Sequence, residues 1–171
     1  TVAEQAASIS DVGNVVVGLA LNNVGTTQAA IWNNGTFSFL EDPFQLSSVA
    51  NDVSSDGSFV GGFVSFFDFD NFETVQQGAV WENGVLTLLT DENGEVFEGM
   101  VNGVSSNGFA VGESEQGGFI WHESFNGVRL FEEWLLTEHG LTSPTPITSV
   151  NDIYFDGTDL NFALDGSAYY A

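Results

Sequence analysis

Short apolar runs separated by Gly, Asn, Asp and Ser dominate the chain. Runs of this length bounded by turn-forming residues predict strands rather than helices. Four segments share one pattern: Ile9-Ser10-Asp11-Val12-Gly13, Val53-Ser54-Ser55-Asp56-Gly57, Val104-Ser105-Ser106-Asn107-Gly108 and Ile153-Tyr154-Phe155-Asp156-Gly157. Each begins on a β-branched residue, reaches Gly four positions later and continues into a second apolar run, the geometry of a tight turn between two strands. A second pattern follows each at a variable distance: Gln28-Ala29-Ala30-Ile31-Trp32-Asn33-Asn34-Gly35, Gln77-Gly78-Ala79-Val80-Trp81-Glu82-Asn83-Gly84, Gly117-Gly118-Phe119-Ile120-Trp121 and finally Ser167-Ala168-Tyr169-Tyr170-Ala171. In the first two, Asn-Gly supplies the positive φ of a hairpin turn, after which Phe37 to Leu40 and Val85 to Leu89 form further strands.

The first motif starts at residues 9, 53, 104 and 153, a period of roughly 44 to 51 residues that suits four-stranded propeller blades. The expected architecture is all-β, a small propeller of about four blades in a single repeat-built domain. Its units lie near residues 8–48, 49–100, 101–149 and 150–171, with 1–7 added to the last. That last unit is one strand short, and the expected source of the strand is the N-terminal Thr1 to Ala7 or a neighbouring chain. A β-trefoil has three such units and leaves the fourth motif unexplained; an open β array leaves edge strands that invite pairing. One segment breaks the pattern. Leu130, Phe131, Trp134, Leu135 and Glu138 fall at helical spacing, with acids near the start and His139-Gly140 at the end, which predicts one inserted helix near 130–139 packed against the sheets.

The alternation of a Val-Ser-x-Asp-Gly-x-x-Val-x-Gly strand pair with an Ala-aromatic-x-Trp-x-x-Gly hairpin resembles the HAF-repeat family of bacterial repeat proteins. The His-Ala-Phe triplet of that family is replaced here by Gln28-Ala29-Ala30, Gln77-Gly78-Ala79 and Gly117-Gly118-Phe119. The resemblance spans nearly the whole chain and rests on turn and core residues. It implies a propeller-like repeat fold and export to the cell surface or the medium, with no catalytic residues to carry over.

Composition narrows the partners. The 171 residues hold 24 Asp+Glu against 1 Lys+Arg, a formal charge of −23, yet 43% of positions are hydrophobic and Phe alone numbers 16. That apolar fraction predicts a packed core despite the charge. The charge excludes nucleic acid and anionic membranes as partners, because phosphate binding needs cations and the single one is Arg129. The chain has no Cys, which excludes disulfides, thiolate catalysis and Cys-ligated metals. No apolar run approaches the roughly 20 residues of a membrane-spanning helix. The start at Thr1 raises the expectation of a removed signal peptide.

Candidate chemistry is sparse. His122 and His139 are the only histidines, no Gly-x-Ser-x-Gly elbow occurs, and paired carboxylates are expected by number alone among so many acids. No catalytic residue is assigned and an enzyme is not expected. Two acidic loops present oxygen donors of the kind Ca2+ prefers: Asp68, Asp70 and Glu73 in a Phe-rich loop with Phe66, Phe67, Phe69 and Phe72, and Asp91, Asn93 and Glu95 around Gly94. Neither matches an EF-hand, and each also reads as a solvated acidic loop. Asn34-Gly35-Thr36 fits a glycosylation sequon but reads first as the hairpin turn. The functional expectation is a non-catalytic, extracellular or surface-displayed structural module that assembles with itself. The alternative is a module binding an extracellular glycan through Trp32, Trp81 and Trp121, and a hydrolase comes third.

Overall fold

The protein, seen as a computed structural model that describes residues 4–164 and the backbone of 167–170, folds its repeats into four antiparallel sheets. Strands β1 (Glu4–Ile9), β2 (Val15–Leu21), β3 (Thr27–Asn33) and β4 (Thr36–Phe39) form the first. Strands β5 (Ser47–Val53), β6 (Phe59–Asp68), β7 (Glu73–Glu82) and β8 (Val85–Leu88) form the second. The third holds β9 (Met100–Val104), β10 (Ala110–Ser114), β11 (Gly117–Trp121) and β12 (Arg129–Leu130), and the fourth β13 (Val150–Phe155), β14 (Leu160–Leu164) and β15 (Ser167–Tyr170). Within each sheet the strands lie in sequence order. The fold is therefore all-β apart from one helix, α1 (Phe131–His139), inserted after β12.

The repeated motif residues make the turns. Ser10, Ser54 and Ser105 are buried, and their Oγ atoms accept the backbone N–H of Val15, Phe59 and Phe109 at 3.2, 3.0 and 3.1 Å, satisfying donors where the chain reverses. Asn34-Gly35 and Asn83-Gly84 take positive φ at both residues, 49° and 79° in one and 48° and 87° in the other, as two-residue hairpins demand. Where the HAF triplet would start, Gln28 and Gln77 donate from Nε2 to the carbonyls of Leu40 and Leu89 at 3.2 and 2.8 Å, tying each Trp strand to the chain that leaves its sheet.

Three apolar cores lie between successive sheets. Val15, Val17 and Ala29 of the first meet Val60, Val64, Ala79 and Trp81 of the second. Val80 and Leu89 of the second meet Val101, Ala110 and Phe119 of the third. Val111 and Ile120 of the third, with Phe131, Trp134 and Leu135 of α1, meet Ile153, Phe162 and Leu164 of the fourth. Among the described residues no apolar cluster joins the fourth sheet to the first. The helical stripe thus packs inward as its spacing predicts, except that Glu138 turns out to pair with Arg129 at 2.9 Å. Gly140 closes the helix at φ 66°, its N–H bonded to Leu136 O at 3.0 Å.

The expectation that Thr1 to Ala7 completes the last sheet is corrected at the residues described. Glu4 to Ile9 pair with β2 as the outer strand of the first sheet, so they are spent there. Residues 1–3, the side chains of the terminal Ser167 to Tyr170 copy, and Ala171 lie outside the described residues. In the second sheet, β6 and β7 stay in register out to Asp68 opposite Glu73, so the Phe-rich segment is a long projecting hairpin.

Candidate docking surface

Each first strand carries a β-bulge at one equivalent place. The register of β1, β5, β9 and β13 slips by one residue, leaving Ala7, Asn51, Asn102 and Asn151 as the extra residues. A bulge turns its side chain out of the ladder, and here the amide reaches the next sheet. Asn51 Nδ2 donates to Val101 O at 2.8 Å, and Asn102 Nδ2 to Val150 O at 3.5 Å. Of the residues that follow the bulges, Ser8, Asp52 and Asp152 border one cavity. Ser8 Oγ donates to Asp52 Oδ1 at 2.7 Å, and Asp52 Oδ2 accepts Val104 N–H at 2.9 Å. Gly is required in the third strand, because a Cβ at Gly103 would lie 2.8 Å from Asp152 Cα.

All four first strands border one cavity of about 200 Å³, with Ser8, Asp52, Val104 and Asp152 in its wall. Burial pushes the Asp52 carboxyl above its usual value, the hydrogen bonds from Ser8 and Val104 pull it back, and Asp152 raises it further. Asp152 belongs to an exposed stretch, yet its carboxyl faces the cavity; partial loss of water raises it, opposed by a hydrogen bond from Ile153 N–H.

The outer face of the first sheet leaves apolar side chains open. Val16, Trp32 and Phe37 stand side by side across β2, β3 and β4, the two rings 5.3 Å apart, and Phe39 packs edge-on to Phe37 at 5.0 Å. Phe37 and Phe39 remain 40% and 36% exposed. The counterparts in the second sheet are Val60, Trp81, Leu86 and Leu88; there the first sheet covers Trp81 completely. Beside Trp32 a concave cavity of about 780 Å³ is bordered by Glu4, Ala6, Asn14, Val16 and Asn34.

The acidic loops proposed as cation sites are held as turns. Asp68 Oδ1 accepts Asp70 N–H at 2.8 Å and Oδ2 accepts Asn71 Nδ2 at 2.8 Å; Asp91 Oδ1 accepts the N–H groups of Asn93 and Glu95 at 2.8 and 2.9 Å. These bonds hold both carboxyls below the usual carboxylate range. Asp70 and Glu73 sit at the hairpin tip, while Asp91 and Asn93 border a cleft of about 540 Å³ that also contains Arg129, Glu133 and Glu138. Among the described residues no three His, Cys, Asp or Glu side chains converge as a metal site would require. Of the four loop phenylalanines, Phe66 tucks against Phe44 at 5.1 Å, and Phe69 and Phe72 project at 77% and 80% exposure.

His122 stacks on Phe109 at 4.4 Å, with Ser124 Oγ at 2.8 Å from Nδ1 and Asn107 O at 3.2 Å from Nε2. Among the described residues no carboxylate hydrogen-bonds to this ring. His139 sits edge-on to Trp134 at 4.7 Å. Sequence reasoning missed the three bulge asparagines. Their signal was present, an Asn two positions before the β-branched start of the second, third and fourth motifs. Comparison of the chain with protein-family models, curated proteins and solved structures gave no match to any of them.

Proposed function

We propose that the protein is a non-catalytic structural module, exported and displayed outside the cell, that joins to further copies of itself. The observation that carries this reading is the partly open face of the first sheet, half-buried Val16 and Trp32 with exposed Phe37 and Phe39, beside a second sheet in which the equivalent Val60 and Trp81 are buried. A repeat stack leaves its end faces open, and an end face that keeps interior residues is built to be covered. Extracellular placement is supported by the resemblance to HAF repeats alone. The four first strands that border one cavity support a propeller-type arrangement of the blades. With a charge of −23, copies repel at low ionic strength, so association requires salt or bound cations, Ca2+ among them, to screen the acidic loops.

Sedimentation velocity across protein and salt concentration tests the reading. Mass rises with both, and Trp32→Ser returns the protein to monomer; monomers at every concentration and salt level sink it. A second reading, an extracellular glycan-binding module, is favoured by Trp32 beside Asn14 and Asn34 in an open concavity, an aromatic platform flanked by amides. A glycan array with Trp32→Ala as control decides it, because specific binding lost in the variant requires that platform.

A further inference from the structure

We infer that Asn151 and Asp152 form a docking clamp for the first strand, β1, of a second copy of this chain, which would make the association head to tail. The inference rests on the self-association reading and gives it a direction. Its basis is a precedent inside the molecule. In the second sheet, the bulge pair Asn51-Asp52 grips the next first strand at two points: the amide donates to Val101 O at 2.8 Å and the carboxylate accepts Val104 N–H at 2.9 Å. The two gripped residues lie three apart, on either side of the bulge at Asn102.

The fourth sheet repeats the same dipeptide at the same bulge, Asn151-Asp152, and both residues are exposed. Their bonds turn back on their own strand. Asn151 Oδ1 accepts Ser149 Oγ at 2.8 Å and Asp152 Oδ1 accepts Ile153 N–H at 2.7 Å, while Asn151 Nδ2 donates to no described residue. A receiver must be a bulged first strand with a carbonyl and an N–H three residues apart. The strands β9 and β13 already receive Asn51 and Asn102, and β5 is covered by the first sheet. Strand β1 has the same register, with Ala6 and Ile9 in the places of Val101 and Val104, and Ile9 is 58% exposed.

The molecule thus has a donor pair without a receiver at one end of its sheet series and a receiver without a donor at the other. Such a contact uses different patches on the two partners, which makes it heterologous and able to propagate. It would also set the fourth sheet of one copy over Val16, Trp32 and Phe37 of the next, as the first sheet lies over Val60, Trp81 and Leu86 within the chain. The partner is a second copy because, among the described residues, no apolar cluster packs the fourth sheet on the first within one molecule, and Phe37 and Phe39 stay exposed on the face such packing would cover.

The chain has no cysteine, so engineered pairs report the contact without background. The experiment is mild oxidation of the Ala6→Cys/Asn151→Cys double variant in about 1 M NaCl, where the screening length falls to about 3 Å. Sedimentation of the Asn151→Ala/Asp152→Ala variant runs alongside. The expected result is a disulfide-linked ladder, together with association weakened about tenfold or more in the alanine variant at an unchanged monomer melting point. A disulfide formed only within single molecules overturns the second copy as occupant in favour of a self-closed ring. Association that continues undiminished in the alanine variant without a ladder overturns the clamp and leaves self-association standing. Monomers of the wild-type chain under all conditions overturn both.

Discussion

The first and second sheets have nearly the same residues on corresponding faces but live in different surroundings. Val60, Trp81, Leu86 and Leu88 pack under the first sheet, whereas Val16 and Trp32 are half-buried, Phe37 and Phe39 are exposed, and none of the four joins a core cluster. The faces themselves are alike, so the difference comes from position in the stack. In a repeat protein each unit is stabilised by its neighbours, and an end unit stays interior in composition unless the sequence caps it with polar residues. The fourth sheet departs in that direction: Asn161 and Ala163 stand in β14 where Val15 and Val17 stand in β2. The two ends of the series are therefore unlike, one apolar and one more polar.

Substitutions at matched positions should separate the two environments, and the tryptophans should separate them most. Trp81→Ala removes a fully buried ring and its hydrogen bond to Glu41 O, at a cost of about 3 to 5 kcal/mol in urea unfolding of the monomer. Trp32→Ala, on the half-exposed face, costs no more than about 1.5 kcal/mol. Equal losses would mean that the first face is covered in the monomer after all.

The bulge asparagines come next. Asn51→Ala deletes the bond to Val101 O between two packed sheets and should lower monomer stability by about 1 to 2 kcal/mol. Asn151→Ala should stay within about 0.5 kcal/mol in the monomer and act only on association. A monomer destabilised as much by Asn151→Ala as by Asn51→Ala would show that Asn151 already has its receiver within the chain.

The cavity carboxylates respond to pH with a defined sign. Asp52 is raised above the unfolded carboxyl value of 3.8, chiefly by burial, so its ionised form is the unfavourable one in the fold. Its contribution to stability is fully present below about pH 3.8 and is lost as pH rises through the folded value. Asp52→Asn keeps both hydrogen bonds, with Oδ1 accepting Val104 N–H and Nδ2 donating to Ser8 Oγ. It should raise the melting temperature at pH 7 and flatten the gain on acidification. A lower melting temperature at pH 7 would show that the charge itself holds the strands together. The turn carboxylates Asp68, Asp91 and Asp156 act in the opposite sense and give the smallest effect: their folded values are lowered by backbone hydrogen bonds, so their contribution is present at neutral pH and declines as pH falls below about 4. Neutralising Asp91 as Asn should leave the loop's amide protection at pH 7 nearly unchanged, since Oδ1 still accepts Asn93 and Glu95.

Much of the sheet framework was legible because turn chemistry is local. Gly57, Asn83-Gly84 and the motif serines announce where strands reverse, and Phe131, Trp134 and Leu135 announce a helix by spacing alone. The placement of β1 was not legible: Glu4 to Ile9 pair with β2 through a hairpin whose Asp11-Val12-Gly13 turn is visible in the sequence, but the period count points to a vacancy in the last unit for them to fill. The docking residues were hidden for a different reason. A β-bulge shifts register by one residue, so Asn51, Asn102 and Asn151 break the alternation that marks strand faces and read as loop residues until the pairing is known. Trp32 and Trp81 are indistinguishable in sequence, because burial by a neighbouring sheet is a property of the stack. The acidic loops drew notice through charge, yet Asp68 and Asp91 are occupied in holding their own turns.

The central claim is that β1 and β13 are the two halves of one contact between copies. Hydrogen exchange read by mass spectrometry on peptides covering 4–9 and 150–155, at rising protein concentration in high salt, tests it most directly. Protection should rise in both segments together and with the same concentration dependence, while the equivalent segments 47–53 and 100–104 stay as protected as in the monomer. Protection that rises in one segment alone, or in neither while the mass of the particle grows, contradicts it.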